Sequence, residues 1–200
     1  QSGRRQRQMC IRDRLFTFPL MLFFFKKYLV WTDKPKLQLI RGLILLTANI
    51  SFFYSISVIS LPKALTLAFV APLVVTAFSP FFLGESVGYR RWAAVIIGFI
   101  GSLVVIRPGF LEINLASLAA LGTGIMYGFY LIITRKLSTS DNPLLTLLLT
   151  GVVGAIIATT FMPFVWVSPT FNQWSIMAAI GLFACIGHLF IILSLKYADA

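Results

Sequence analysis

The chain alternates long apolar stretches with short polar segments. After a polar start, apolar stretches begin at Leu15, Leu37, Ala64, Ala93, Leu115, Leu144 and Trp174. A stretch such as Ala64–Leu83, at about 1.5 Å per residue in a helix, is long enough to cross a hydrocarbon core about 30 Å thick. The pattern therefore predicts an all-α, polytopic helical membrane protein with about seven spans.

The first apolar stretch differs from the others because it is short. Leu15–Phe25 has about half the length that a span needs and is followed by Lys26 and Lys27, so we expect the cytoplasmic end of a shortened helix. Residues 1–14 are polar and rich in arginine, and we expect a non-native or disordered tail there. A native basic tail on the cytoplasmic side is the alternative.

The third stretch, Ala64–Leu83, contains a proline near its middle. Pro72 removes one backbone hydrogen bond and predicts a kink that faces protein or a water-lined cavity. The stretch ends at Leu83-Gly84-Glu85, and Arg90-Arg91-Trp92 introduces the next helix, Ala93–Ile106. A charged turn between two helices is expected.

This part of the chain resembles a known family. The proline-containing helix with a terminal "LGE", followed by "RRW" and "GFIGSLVVIRPG", and the upstream "IRGLILLTANISFFYSISVISLPKA" are similar to the first half of an EamA-type transporter of the drug/metabolite transporter superfamily. The resemblance extends from Leu15 to Ala200. It implies a ten-helix carrier built from two inverted five-helix repeats, with a central substrate cavity between them.

The same resemblance divides the chain into two parts. Residues 15–109 correspond to the second to fifth helices and form the first repeat, and residues 110–200 correspond to the sixth to eighth helices and form an incomplete second repeat. A chain truncated at both ends is expected. Superposing Arg41-Gly42-Leu43 on Ile180-Gly181-Leu182 aligns the helices that begin at Leu37 and Trp174, and helices five spans apart run in opposite directions.

Composition supports a membrane protein. Hydrophobic residues make up 58% of the chain, charged residues 12%, and the mean hydropathy is +0.91, whereas a typical soluble domain has about 25% charged residues. The net charge of +11 does not indicate nucleic-acid binding, because the basic residues lie between apolar spans rather than on one surface. We expect a multi-pass protein of the bacterial inner membrane, embedded in the lipid bilayer.

The basic residues also predict an orientation. If the linker of residues 26–36 is cytoplasmic, alternation of the spans places most later basic residues on the cytoplasmic side as well. Arg41 then lies at the membrane border, and Lys63 and Arg107 lie on the outer side of the membrane. The residues on the cytoplasmic side are Arg90, Arg91, Arg135, Lys136 and Lys196.

Two polar residues are the strongest candidates for substrate binding. Asn49 and His188 lie near the middle of their spans, and the repeat alignment places them at matching positions. Polar groups at that depth are costly without partners. They either bind a polar or amphipathic solute in the central cavity or form hydrogen bonds between helices.

Residues that share a face with these candidates extend the predicted site. Phe53 follows Asn49 by one helical turn, and Phe69 and Thr76 flank Pro72. Tyr127 is a weaker candidate, since most aromatic residues at helical spacing pack in cores. The candidate substrate-binding residues are Asn49, Phe53, Phe69, Pro72, Thr76, Tyr127 and His188.

Small residues at helical spacing predict close packing of helices. Gly124-xxx-Gly128 and Ala94-xxx-Gly98 allow backbones to approach, within one chain or, alternatively, in a homodimer. Glu85 with Arg90 and Arg91 predicts a charge cluster at the membrane surface, with a role at the inner mouth of the cavity as the alternative.

The sequence offers no catalytic constellation. It contains one histidine, two distant cysteines and no carboxylate inside a predicted span, so we expect no enzyme, disulfide, metal site or cofactor. We expect a transporter that moves a small organic metabolite, amino-acid-like or otherwise amphipathic, by alternating access without obligatory protonation of these helices, with export as the expected direction. The alternative is a non-transporting membrane scaffold or assembly partner.

Overall fold

The computed structural model describes residue 32 and residues 34–106, 114–161 and 170–197, and every regular element in these ranges is a helix. The predicted all-α fold is therefore confirmed. The expected tail, residues 1–14, and the short stretch Leu15–Phe25 lie outside the described residues. The helices are Pro35–Val58 (α1), Leu61–Ala68 (α2), Ala71–Leu83 (α3), Tyr89–Ile106 (α4), Leu115–Ser138 (α5), Pro143–Phe161 (α6) and Phe171–Tyr197 (α7).

Five of the described segments are long and apolar enough to cross a membrane. They are α1, the combined segment Leu61–Leu83, α5, residues Pro143–Thr160 of α6, and α7. Helix α4 begins at Tyr89, four residues before the predicted Ala93, so that Arg90-Arg91-Trp92 forms its first turn rather than a preceding loop.

The span that contains Pro72 is divided into two helices. The helical hydrogen bonding is interrupted at Phe69 and Val70, although both residues keep right-handed helical φ angles of −64° and −63°, and Pro72 is the second residue of α3. Proline is well tolerated there, because backbone N–H groups in the first turn of a helix have no partner within the helix. The interruption predicted from the proline exists, but it lies on the N-terminal side of Pro72.

The described residues form two compact units. The first contains residues 44–135, where α2 and α3 both contact α4 and where Phe78 and Phe82 of α3 lie 5.2 and 6.1 Å from the ring of Phe129 in α5. The second contains residues 32–43 and 136–197, where α6 packs against α7. The division into repeats at residues 15–109 and 110–200 stays a prediction, because the units reflect packing rather than internal symmetry.

In the second unit, the beginning of α1 packs closely against α6. A Cβ atom added to Gly42 would lie 3.0 Å from the Cβ of Val153, so the glycine allows the two backbones to approach. The Ser138 hydroxyl donates a hydrogen bond to the carbonyl of Leu195, 3.2 Å away, and joins the end of α5 to the end of α7. Helix ends predicted to be cytoplasmic thus meet at one end of this unit.

Candidate functional site

The interruption between α2 and α3 is covered by two glycines of α5. A Cβ atom at Gly124 would lie 2.6 Å from the carbonyl oxygen of Ala68, and one at Gly128 would lie 2.7 Å from the Cβ of Val74. Pro72 has no N–H to donate to the carbonyl of Ala68, which therefore faces the bare backbone of α5. The structure thus confirms that Gly124-xxx-Gly128 allows close packing of helices within the chain.

Helix α1 meets α5 at the same level. The Thr123 hydroxyl donates hydrogen bonds to the carbonyl oxygens of Ala119 in its own helix, 2.9 Å away, and of Ala48 in α1, 3.3 Å away. Because Thr123 and Gly124 are adjacent, residues 48–49 of α1 and the interruption at residues 68–70 lie at one level of α5. We call this region of the first unit the break site.

Three predicted residues lie at the break or in the first turns of α3 that follow it. Phe69 is 55% exposed, and Pro72 is also exposed. Thr76 is buried, and its hydroxyl donates a 2.8 Å hydrogen bond to the carbonyl of Pro72 within α3. Phe69 and Pro72 thus present surface at the break, whereas the hydroxyl of Thr76 is used within the helix.

Asn49, Phe53 and Tyr127 are half-buried in the same unit. The ring of Phe53 lies edge-on to Phe52, with centroids 6.2 Å apart, and the ring of Tyr127 stacks on buried Tyr130 at 5.5 Å. Asn49 follows Ala48, whose carbonyl accepts a hydrogen bond from Thr123 of α5. We therefore include Asn49 in the break site.

His188 is half-buried in α7, within the second compact unit. Its predicted equivalence to Asn49, and the binding role of every candidate residue, stay predictions.

A buried polar network in the second unit was not among the predicted sites. Arg41, placed by the charge pattern at the membrane border, is fully buried, and Gln38 and Asp141 are 2% and 7% exposed. We use the name Arg41 network for these residues and the threonines bonded to them. Its members are Thr32, Gln38, Arg41, Asp141, Thr146 and Thr150.

The side chain of Gln38 connects the two charged groups. Its amide oxygen accepts a hydrogen bond from Nη1 of Arg41 at 3.3 Å, and its amide nitrogen donates to Oδ2 of Asp141 at 2.7 Å. Arg41 Nη1 also donates to the Thr146 carbonyl at 2.9 Å and the Thr150 hydroxyl at 2.7 Å. The hydroxyl of Thr32 donates to Asp141 at 2.6 Å. A cation and a carboxylate thus link α1 to α6 and to the loop before it.

A cleft reaches this network from the protein surface. It has a volume of about 560 Å³ and is lined by the loop between α5 and α6, by leucines of α7 and by Lys196. Asp141 lies in its wall.

The sequence contains a signal for this network. Gln38 and Arg41 are three residues apart at the start of an apolar stretch, so they lie on one face of α1. An ionisable residue inside a span is a functional candidate by default. The loop position of Asp141 gave no indication that its carboxylate would be buried.

The charged turn after α3 pairs with α5. Gly84 ends α3 with a left-handed φ of 71°, and Glu85 accepts a 2.9 Å ion-paired hydrogen bond from Nε of Arg135. Glu85 therefore pairs with Arg135, and its predicted clustering with Arg90 and Arg91 stays a prediction. Among the residues that the structure describes, no group of histidine, cysteine, aspartate and glutamate side chains could hold a metal ion.

Comparisons with known proteins agree with this architecture. A crystal structure of a protein 17% identical in sequence superposes with a TM-score of 0.77 over 96% of this chain and 71% of that one, which shows the fold. An S-adenosylmethionine uptake transporter of Rickettsia bellii is 25% identical over 89% of this chain and 60% of its own length. A pseudopaline exporter of Pseudomonas aeruginosa is 23% identical over 81% of this chain and 58% of its own length.

The chain thus spans about 60% of the length of the curated relatives that it matches. These relatives are membrane transporters rather than enzymes. The predicted localisation, a multi-pass protein of the cell membrane, is confirmed. Residues 14–107 match the model of the EamA-like transporter family, and this match confirms the resemblance seen in the motifs.

Proposed function

We propose that this chain forms part of an alternating-access transporter that moves a small polar or amphipathic organic metabolite across the membrane. The observation that carries the proposal is the interrupted span of an EamA-like segment, with Phe69 and Pro72 exposed at the break. Discontinuous membrane helices form substrate sites in many transporters, because their free backbone groups and side chains face a cavity near the midplane.

The chemistry of the break site favours an organic solute over a bare ion. The exposed ring of Phe69 offers an apolar surface, and the half-buried Asn49 offers an amide that can both donate and accept hydrogen bonds. Small-molecule sites commonly combine apolar walls with a few polar groups that orient the ligand. In this proposal Phe69 and Pro72 bind the apolar part of the solute and Asn49 binds a polar group, while Phe53 and Tyr127 support the site.

His188 lies in the other compact unit, and its role as a second polar group for the solute stays a prediction from the repeat alignment. The direction of net transport is not implied by the family, since the relatives include both an uptake transporter and an exporter. We propose export, the direction expected from the sequence, and the experiment below measures both uptake and export.

Flux measurements in proteoliposomes containing the complete protein test the proposal. S-adenosylmethionine, free amino acids and aromatic metabolites are supplied inside or outside, and counterflow of labelled solute is recorded. We expect saturable flux of at least one solute, and Asn49→Leu and Phe69→Ala each to raise its KM several-fold. Thr160→Val, at an exposed position of α6, is the matched control and should leave flux unchanged.

An absence of saturable flux for every solute class, from a protein that is folded and correctly inserted, would favour the alternative of a membrane scaffold. Flux that is unchanged in both Asn49→Leu and Phe69→Ala would contradict the break site while leaving transport itself intact.

A further inference from the structure

We infer that the Arg41 network is a latch that holds α1 against α6 at the predicted cytoplasmic end of the second unit, and that it opens by admitting water. The inference rests on the proposed alternating-access function. It adds a conformational role for residues that the proposed substrate site does not use. The network lies where the start of α1 meets the start of α6, at the end of the unit that the charge pattern predicts to be cytoplasmic.

Arg41 keeps its positive charge when it is buried. A guanidinium does not lose its proton in proteins, so a fully buried Arg41 needs acceptors wherever it lies. Two of its acceptors, the Thr146 carbonyl and the Thr150 hydroxyl, belong to α6, and a third belongs to Gln38 of its own helix. Moving α1 away from α6 removes the α6 acceptors, and water must replace them.

Water has a route to the network. The cleft of about 560 Å³ is lined in part by Asp141, whose carboxylate accepts hydrogen bonds from Thr32 and Gln38. Asp141 is the member of the network that borders the cleft, so water in the cleft reaches the network at this residue. Separation of the helices and hydration of the network are therefore the same event.

A polar contact between helices opens more readily than an apolar one. Wetting an apolar interface costs free energy in proportion to the area exposed, whereas hydrogen bonds within the protein are exchanged for hydrogen bonds to water. A polar network can thus hold two helices together and still release them. Gly42, packed against Val153 beside Arg41, makes the closed contact tight.

The inference predicts opposite effects from partial and complete removal of the network. Gln38→Leu leaves both charges without their shared partner, so the open, hydrated state should become more populated. Combining Gln38→Leu with Arg41→Met and Asp141→Asn removes both charges and leaves a neutral, largely apolar contact, so the closed state should become more populated. Replacement of a whole buried ionic network by apolar residues is often neutral or stabilising, and we expect the triple variant to fold.

The test uses a reporter cysteine at Val153, behind the latch, in a Cys10→Ser, Cys185→Ser background. A hydrophilic maleimide is applied to the cytoplasmic face in everted vesicles carrying the full-length protein. We expect labelling of Val153→Cys to be on the order of tenfold faster with Gln38→Leu, as expected from lost hydrogen bonds to a charged group. The triple variant should be labelled more slowly than the parent, and Thr160→Val at the parent rate.

Thr150→Val provides a second, isosteric variant that removes one acceptor of Arg41 if Gln38→Leu fails to fold. Faster labelling in Thr150→Val supports the latch, and unchanged or slower labelling contradicts it. Labelling of the triple variant at or above the parent rate also contradicts it. Labelling does not require a substrate, so a protein that shows the expected labelling without any flux would contradict the transport function rather than the latch.

Discussion

Among the glycines that the structure describes, Gly124 has the least free space for an added Cβ atom. The carbonyl oxygen of Ala68 and Cγ1 of Val70 both lie 2.6 Å from the position that a Cβ atom would occupy. The obstacle on one side is backbone, which cannot move away as the end of a flexible side chain can. The contact between α5 and the break therefore depends on the absence of a side chain at this position.

We expect Gly124→Ala to destabilise the protein by about 1–3 kcal/mol through overpacking. Gly122 is the matched control, because nothing lies within 4 Å of its added Cβ atom and both glycines are in α5. Alanine favours a helix over glycine by up to about 1 kcal/mol at either site, so Gly122→Ala should be neutral or stabilising. Thermal unfolding in detergent measures the difference, and equal melting temperatures would contradict the packing described for Gly124.

A second expectation at this scale concerns His188. Glutamine retains a hydrogen-bond donor and an acceptor but does not titrate near neutral pH. His188→Gln should therefore change substrate affinity modestly and leave the pH dependence of flux intact. Flux measured across a pH series in the complete protein tests this. Loss of a proton-driven component on this substitution alone would show that His188 relays protons.

Single residues differ in how much of their role the sequence reveals. The close packing at Gly124-xxx-Gly128 was predictable, because small residues four apart have few other uses in an apolar helix. The burial of Arg41 was not, because a basic residue near the end of a span is typical of the membrane surface unless distant residues supply acceptors. Those acceptors, Thr146 and Thr150, lie more than a hundred residues away along the chain.

At the scale of helices, the break between α2 and α3 is the element on which the proposed site depends. The sequence located the proline but not the break, since a proline disturbs the residues before it and is itself accommodated in the first turn of the next helix. The position of the break at Phe69 and Val70 is determined jointly by Pro72 and by the contact with α5.

Pro72→Ala should alter transport more than stability. The substitution supplies an N–H for the carbonyl of Ala68, which favours a continuous helix and withdraws the backbone from the break. We expect flux to fall several-fold while the protein remains monodisperse on size exclusion. Pro80→Ala is the control, because Pro80 lies within α3 beyond the break and is exposed. If both variants transport as well as the parent, the break is not required.

At the scale of the whole molecule, the helix ends support the alternation of spans predicted from charge. The end of α5 meets the end of α7, and Thr32, before α1, bonds Asp141, before α6. These contacts bring together, within one unit, the helix ends near Lys34, Lys136 and Lys196. Spans that alternate in direction require these three ends to lie on the same side of the membrane. Orientation in the membrane follows from the excess of positive charge at those ends.

Single cysteines test that orientation. Lys34, Ser86 and Thr139 are exposed and should react only from the cytoplasm, whereas a cysteine at Ser168 should react only from outside. Thr139 is a better reporter than its neighbour Ser138, which is buried and bonded to Leu195. Membrane-impermeant reagents applied to intact cells and everted vesicles distinguish the two faces. Labelling of Ser86→Cys and Ser168→Cys from the same face would show that the number of spans between them is wrong.

The burial of Arg41 also has a consequence for biosynthesis. The Thr146 and Thr150 acceptors are 105 and 109 residues downstream, so α1 leaves the ribosome and meets the bilayer long before α6 exists. Arg41 lies in the second turn of α1, and an arginine near a helix end is drawn towards the aqueous interface as long as it lacks acceptors. The buried position of Arg41 therefore requires that α6 has been inserted. Insertion of an early helix is thus completed only when a late helix supplies its hydrogen-bond acceptors.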